Sequence, residues 1–335
     1  MNSVEELEDR LSRPSAALVA DLAALDGDIL VLGAGGKLGP SLVRLALRAT
    51  AGRKSVIAVS RFGDRTQADA LAAAGARIVS ADVTDDAALA ALPDAANVVF
   101  LVGSKFGSTG REAETWYTNA YLPGRVAERF RNARIAALST GNVYPFTAVG
   151  SGGPAETVAP GPVGEYAMSC LGRERIFARF AEKDRTPLAL IRLNYAVEMR
   201  YGVLVDIGQK VMNGQPVDVT MSAVNVIWQG YANEVILRAL RHASPDPFVL
   251  NLAGPETLSV RQLAAAFGVQ FGIAPQISGE EAPAALLSNS ARCMRLFGYP
   301  DVTPAELVEW TANWLKAGLP LLNKPTGFQK RDGKF

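Results

Sequence analysis

Histidine is nearly missing from this chain: there is one, His242, in 335 residues. A single imidazole excludes most histidine-based metal centres. Its place at the end of "LRALRHASPDP" reads as a surface or helix-capping position, not as the base of a Ser-His-Asp triad. Cysteine is almost as scarce. Cys170 and Cys293 lie far apart in sequence, so there is no disulfide framework and no metal-ligand spacing, which fits a reducing compartment. No charge sign dominates either, with 34 basic residues against 33 acidic and a net charge of +1. That balance argues against a nucleic-acid or anionic-membrane partner and for a small molecule. No apolar run approaches the roughly 20 residues of a membrane span. The first ten residues, "MNSVEELEDR", are acidic and polar, unlike a signal peptide. The expectation is a cytoplasmic protein with no metal.

What is present is a globular composition, 49% hydrophobic and 20% charged, arranged as alternating strand-like and helix-like segments. "DILVLGAGG" is an apolar run ending in glycines, and "PSLVRLALRAT" follows at helical spacing with Pro40 in its first turn. "SVIAVS", "RIVSADV", "NVVFLVG", "RIAALST" and "LALIRLN" are further short apolar runs, separated by helical stretches such as "TQADALAAAG". Runs of this kind suit strands buried on both faces, and alternation with helices forces parallel pairing. The predicted fold class is α/β, a doubly wound parallel sheet with a smaller C-terminal substrate region. Residues 1–27 read as a helical extension broken at Pro14, packing on the sheet or on a second subunit. Residues 28–195 form the dinucleotide-binding domain, completed by about 223–252. Residues 196–222 and 253–320 form the substrate region, and the polar stretch 321–335 reads as a mobile tail.

"VLGAGGKLGP" places Gly33, Gly35, Gly36 and Gly39 between the first strand and the first helix, with Lys37 and Leu38 among them. Glycines there allow a tight turn, close approach of backbone to a pyrophosphate, and close helix–strand packing, while the helix N-terminus offers free N–H groups. Cofactor choice falls at the end of the second strand. An acidic residue there suits the ribose hydroxyls of NAD, whereas small and cationic residues suit NADP. Ser60 and Arg61 favour NADP over NAD, although Arg61 also reads as a solvated surface residue. Asp82 and Val83, after the third strand, fall where the adenine edge should lie, but Asp82 is equally a neighbour of a helix N-cap.

Together these motifs resemble the extended short-chain dehydrogenase/reductase family, of the NAD-dependent epimerase/dehydratase type, from about residue 28 to 315. The G-x-x-G-x-x-G spacing matches Gly33, Gly36 and Gly39. The family's helical asparagine matches Asn119 in "TWYTNAYLPG", its serine or threonine matches Thr140 in "LSTGNVY", and its tyrosine matches Tyr166 in "GEYAMSC". The stretch "IRLNYAV" looks like the family's R-x-x-N-x-Y-G region. The resemblance implies Tyr166 as acid/base and Thr140 as the group that orients a substrate hydroxyl. It further implies Asn142 and Asn194 at the substrate, and Val102, Gly103, Asn119 and position 170 at the cofactor. The substrate implied is a carbohydrate-type alcohol or ketone, possibly a nucleotide sugar, and a homodimer is possible.

The departure is Cys170. Four residues beyond the tyrosine, one helical turn on, the family keeps a lysine that binds the nicotinamide ribose and lowers the tyrosine pKa. A phenol titrates near about 10, so a cation is what brings it toward neutrality. Three readings stand open: a non-catalytic sensor or scaffold that still binds dinucleotide, a charge relocated to Lys105 in "FLVGSKFG", or a reactive thiol at Cys170. Arg173 and Arg175, further along the same helix, read as surface or interface residues. Tyr144 and Tyr195 read as walls of the site.

Overall fold

The computed structural model describes residues 1–324 and 326–334. Seven strands form one parallel sheet: β1 (Ile29–Leu32), β2 (Val56–Ser60), β3 (Arg77–Ser80), β4 (Asn97–Phe100), β5 (Arg134–Thr140), β6 (Leu188–Leu193) and β7 (Phe248–Leu252). Their spatial order is β7-β6-β5-β4-β1-β2-β3. All pairings are parallel, with Ile29 opposite Val56 on one side and Asn97 on the other. Alternate side chains feed two separate cores, as the pleat requires. From β1, Ile29 and Val31 enter one core, while Leu30 and Leu32 enter the other. A doubly wound sheet thus accounts for the unbroken apolar runs.

The chain order reverses between β1 and β4, which opens a crevice at the carboxyl ends of those strands, the usual ligand position of such sheets. Helix α3 (Gly39–Thr50) leaves β1 with Pro40 in its first turn. The leader contributes α1 (Val4–Leu11) and α2 (Ala16–Ala23), each opened by a serine side chain, Ser3 or Ser15, that accepts an N–H of the first turn. Leu7, Leu11, Leu18 and Leu22 are fully buried. These helices pack against α3 and against Gln229–Arg238, so the extension is part of the core of this chain.

Beyond β6 the C-terminal region is built from Val203–Met212, Val260–Phe271 and Pro304–Lys316, packed on one another. Two-residue strand pairs staple it to the sheet domain, among them 147–148 with 284–285 and 196–197 with 227–228. Among the described residues, no helix is long and apolar enough to cross a membrane.

The end of the chain departs from its sequence expectation. Residues 326–334 do not project into solvent but fold back over the crevice. Thr326 and Phe328 are buried, and Gly333 lies against Val163 and Gly164 at the start of the long helix Gly164–Asp184. Polarity pointed to a free tail because only Phe328 in this stretch has an apolar side chain to bury, and a single residue gives no periodic signal.

Candidate active site

The turn after β1 is shaped by contacts that only glycine permits. Gly33 has φ +87°, and a Cβ there would stand 3.1 Å from the carbonyl carbon of Leu101 and 3.2 Å from the nitrogen of Val102, on the chain leaving β4. A Cβ on Gly39 would fall 2.2 Å from the carbonyl oxygen of Ala34, and one on Gly35 would fall 2.6 Å from Ser60 Oγ. Gly36 is exposed. The N-cap residue of α3, Leu38, makes no side-chain cap, so the first N–H groups of the helix remain available to an anion. An uncapped helix start above a turn closed to side chains fits a dinucleotide pyrophosphate. The backbone of Lys37 lies in this turn, but its side chain leaves it. Nζ donates to the Ala196 carbonyl at 3.2 Å and sits 3.5 Å above the Tyr201 ring. Burial lowers its pKa to about 7, against the pull of Glu198.

At the adenosine end, Ser60 underlies Gly35, while Arg61 is exposed and lies 3.8 Å from the Asp82 carboxylate. Asp82 also accepts from the N–H and hydroxyl of Thr84, and these bonds, more than Arg61, hold its pKa down. The N-cap of the following helix is Asp85. Val83 is buried in the core.

At the reacting end, β5 delivers Thr140 and the helix Gly164–Asp184 delivers Tyr166 and Cys170. Tyr166 packs on the buried cluster that holds Cys170, and Thr140 and Cys170 both act on its phenol, so the three side chains singled out from sequence do converge. Lys105, on the segment leaving β4, lies with Nζ 5.8 Å from the Tyr166 ring centre and donates to the Thr326 carbonyl at 3.4 Å. Burial lowers its pKa to about 8. The phenol of Tyr166 is pushed upward, by burial first and by Cys170 next, while Arg173 and Thr140 pull the other way. Cys170 is fully buried among Val143, Tyr144, Tyr166 and Leu171. Burial raises its thiol pKa, which removes the thiolate that nucleophilic chemistry needs. Its complete burial also leaves it no surface for a cofactor, contrary to the expectation for position 170.

Asn119 sits inside a single turn of π-helix, Tyr117–Tyr121, between two α-helical segments. Its Oδ1 accepts from the Ser104 N–H and from Arg173, each at 2.8 Å. Its Nδ2 donates to the Ser104 carbonyl and to Ser169 Oγ. Fully buried and with both donors and both acceptor positions used, Asn119 clamps the loop 103–105 rather than reaching the cofactor directly. Gly103 belongs to this clamp, since a Cβ there would stand 2.9 Å from the Arg173 guanidinium. Val102 packs at the edge of the core.

Arg173 corrects the surface reading. It is buried, donates to the carbonyls of Leu138 and Asn119 as well as to the Asn119 side chain, and stacks over Phe100. Nearby, Glu174 and Arg192 form a buried bidentate pair. Ser139 donates to Glu174, Arg192 donates to the Tyr144 hydroxyl at 2.6 Å, and Tyr144 donates to Asn251. This network ties β5, the long helix, β6 and β7 together beneath the site. Periodicity could not find it, because buried charges break the apolar pattern; only the pairing of Glu174 with the arginine of "IRLN" was there to be noticed.

A cavity of about 180 Å³ lies between these parts, lined by Lys37, Lys105, Thr140, Asn142, Asn194 and Tyr195 among others. Among the described residues, the buried Asn194 Nδ2 and the Tyr195 hydroxyl have no hydrogen-bond partner, and Tyr195 holds φ +50°. Buried polar atoms left over beside a cavity, next to a strained backbone, mark where a ligand completes the structure.

The fold and this constellation define a dinucleotide-binding protein of the extended short-chain dehydrogenase/reductase class. Residues 29–197 match the NAD dependent epimerase/dehydratase family, and the chain belongs to that family. Its cofactor class is therefore the nicotinamide dinucleotide NAD. No curated protein matches the chain by sequence. Among solved structures, MoeE5 in complex with UDP-glucose and NAD has a TM-score of 0.70 at 19% identity, covering 87% of this chain and 99% of its own. The UDP-glucose 4-epimerase of Thermotoga maritima has 0.72 at 17%, with 87% and 99% covered. The UDP-glucuronic acid 4-epimerase of Bacillus cereus, in complex with UDP-glucuronic acid and NAD, has 0.73 at 16%, with 86% and 99% covered.

Proposed function

We propose that this protein is an NAD-dependent enzyme that oxidises, transiently or as a net reaction, a secondary hydroxyl of a nucleotide sugar. Bound NAD supplies acceptance and return of a hydride. Tyr166 takes the hydroxyl proton, Thr140 holds the hydroxyl against the phenol, and Asn142 and Asn194 position the sugar. Lys105 provides the positive charge that Cys170 no longer carries. The observation that supports this most is Lys105 Nζ 5.8 Å from the centre of the Tyr166 ring, with Thr140 acting on the same phenol, at the crevice that the glycine turn opens. The nucleotide-sugar part draws on the titles of the neighbouring structures.

A raised phenol pKa beside an uncharged Cys170 favours a second reading, a dinucleotide-binding sensor with no turnover. Product analysis after incubation with NAD or NADP and a panel containing UDP-glucose and UDP-glucuronic acid separates the two. The first reading expects conversion that Tyr166→Phe abolishes. Cofactor binding with no conversion of any sugar supports the second. The same panel decides the dinucleotide: Arg61 is free of the sheet and could meet a 2′-phosphate, so NADP binding weaker than NAD binding would refute the sequence-based preference.

A further inference from the structure

The two cavities at the candidate site share one wall, and that wall is the end of the chain. Thr326 and Phe328 face the larger of two neighbouring cavities at Lys105, while Gly327, Phe328, Lys330 and Gly333 close a smaller one against Asn142, Tyr144 and Phe146. The attachments are local. Asp206 accepts from the Thr326 N–H at 2.9 Å and from its hydroxyl at 2.6 Å. Lys105 donates to the Thr326 carbonyl. Arg331 donates to the Ala284 carbonyl at 2.7 Å and lies 4.3 Å over the Phe146 ring. The tip is backbone against backbone: a Cβ on Gly333 would stand 2.3 Å from the Val163 carbonyl oxygen, and one on Gly164 would stand 2.5 Å from the Gly333 carbonyl oxygen.

We propose that residues 326–334 are a displaceable strap that occupies the substrate cleft of the free protein and must leave it for a nucleotide sugar to bind. The ligand named here rests on the function proposed above. Size is the first argument. With the strap seated, the cavity at Thr140, Asn142 and Asn194 is about 180 Å³, whereas pockets that bury a drug-sized ligand run to about 300–1,000 Å³. The space of about 350 Å³ on the strap's other side, at Asp206 and Lys210, is not lined by those residues. A nucleotide sugar does not fit the remainder. Attachment is the second argument. Among the described residues, the backbone–backbone bonds here are Leu322 to Arg200 and the strap's own turn, Lys330 to Gly327; no ladder joins the strap to a sheet. Segments held by side-chain contacts open at lower cost than core strands do. Composition is the third: Gln329, Lys330, Arg331, Asp332 and Lys334 are readily solvated on release, and only Phe328 exposes appreciable apolar area.

Two variants test the strap. One ends at Asn323, and the other is Gly333→Val, which removes the tip contact without shortening the chain. Calorimetric titration with UDP-glucose in the presence of NAD is expected to give roughly tenfold tighter binding for the shortened chain, the ratio for a strap that is open about a tenth of the time. A smaller gain is expected for Gly333→Val. Equal or weaker binding in both variants, with NAD binding retained, overturns the proposal and makes the strap a fixed wall. If no form binds UDP-glucose or UDP-glucuronic acid while all bind NAD, the nucleotide-sugar reading fails, and amide exchange of the full chain then judges the strap. The Phe328 and Lys330 amides are expected to exchange by local opening, well ahead of β1 and β4. Exchange only at the rate of global unfolding refutes displacement.

Discussion

At the scale of single residues, the site turns on where positive charge sits. Where the resemblance expects a lysine the chain has Cys170, whose buried thiol stays protonated; the buried Arg173 pulls on the Tyr166 phenol, and Lys105 Nζ lies 5.8 Å from its ring. A lysine whose pKa is about 8 carries its charge below that pH and loses it above. Activity that depends on Lys105 therefore falls as pH rises through about 8. Lys105→Met is expected to lower kcat by about 100-fold, the scale of a lost contribution to acid–base catalysis. Cys170→Lys is expected to restore much of that loss and to extend activity to higher pH. Unchanged kcat in Lys105→Met would assign the charge elsewhere.

Lys37 carries a second residue-scale prediction, on stability. Its folded pKa of about 7 lies below the ordinary lysine value of 10.5. Between those two values the unfolded chain binds the proton and the folded chain does not. Linkage then makes the contribution of Lys37 to stability rise as pH climbs from about 7 to about 10. Denaturation midpoints of wild type and Lys37→Met across that range should diverge, with the wild type gaining relative to the variant. Parallel curves would contradict the buried, depressed ammonium.

At the scale of elements, the long helix Gly164–Asp184 is more than a carrier of Tyr166. Arg173 and Asn119 clamp the loop bearing Lys105, and Glu174 and Arg192 lock the helix to β5 and β6. Breaking one partner of a buried pair leaves the other uncompensated. Glu174→Gln is expected to cost about 3 kcal/mol or more by chemical denaturation. Glu182→Gln, in an exposed pair with Arg179, should cost less than about 1 kcal/mol. Equal, small costs for the two would mean that the network does not hold the helix. This level also marks what the sequence could and could not reveal. The strands and the glycine turn were legible because continuous apolar runs and a strand–glycine–helix pattern have few other structural solutions. That Tyr166, Thr140 and Lys105 lie at one place was expected from the family resemblance, and their catalytic roles are those proposed above. Arg173, Glu174 and the clamping role of Asn119 were not, since burial of a charged or amide side chain depends on partners tens of residues away. The π-turn that seats Asn119 has no periodic signature at all.

At the scale of the whole molecule, both ends of the chain work on the domain rather than hang from it. The leader's four buried leucines extend the core beneath α3, and Glu8 in that leader bonds Arg200, which opens the chain toward the substrate region. The C-terminal segment covers the crevice in which Tyr166, Thr140 and Lys105 meet. The helix-prone leader could be read from its sequence, but the strap could not, because its contacts are polar bonds made by side chains to residues far away in the sequence. On the proposed reading, the sheet fixes Tyr166, Thr140 and Lys105, and the C-terminal segment controls access to them.

The most direct measurement is nicotinamide reduction in a stoichiometric mixture of the protein and NAD after UDP-glucose or UDP-glucuronic acid is added, with product sugar analysed in parallel. The wild type should yield reduced nicotinamide or converted sugar with at least one of them. Tyr166→Phe, still binding NAD, should lose that conversion by about 100-fold or more. Conversion at the wild-type rate in Tyr166→Phe would contradict the assignment of the phenol as the acid/base.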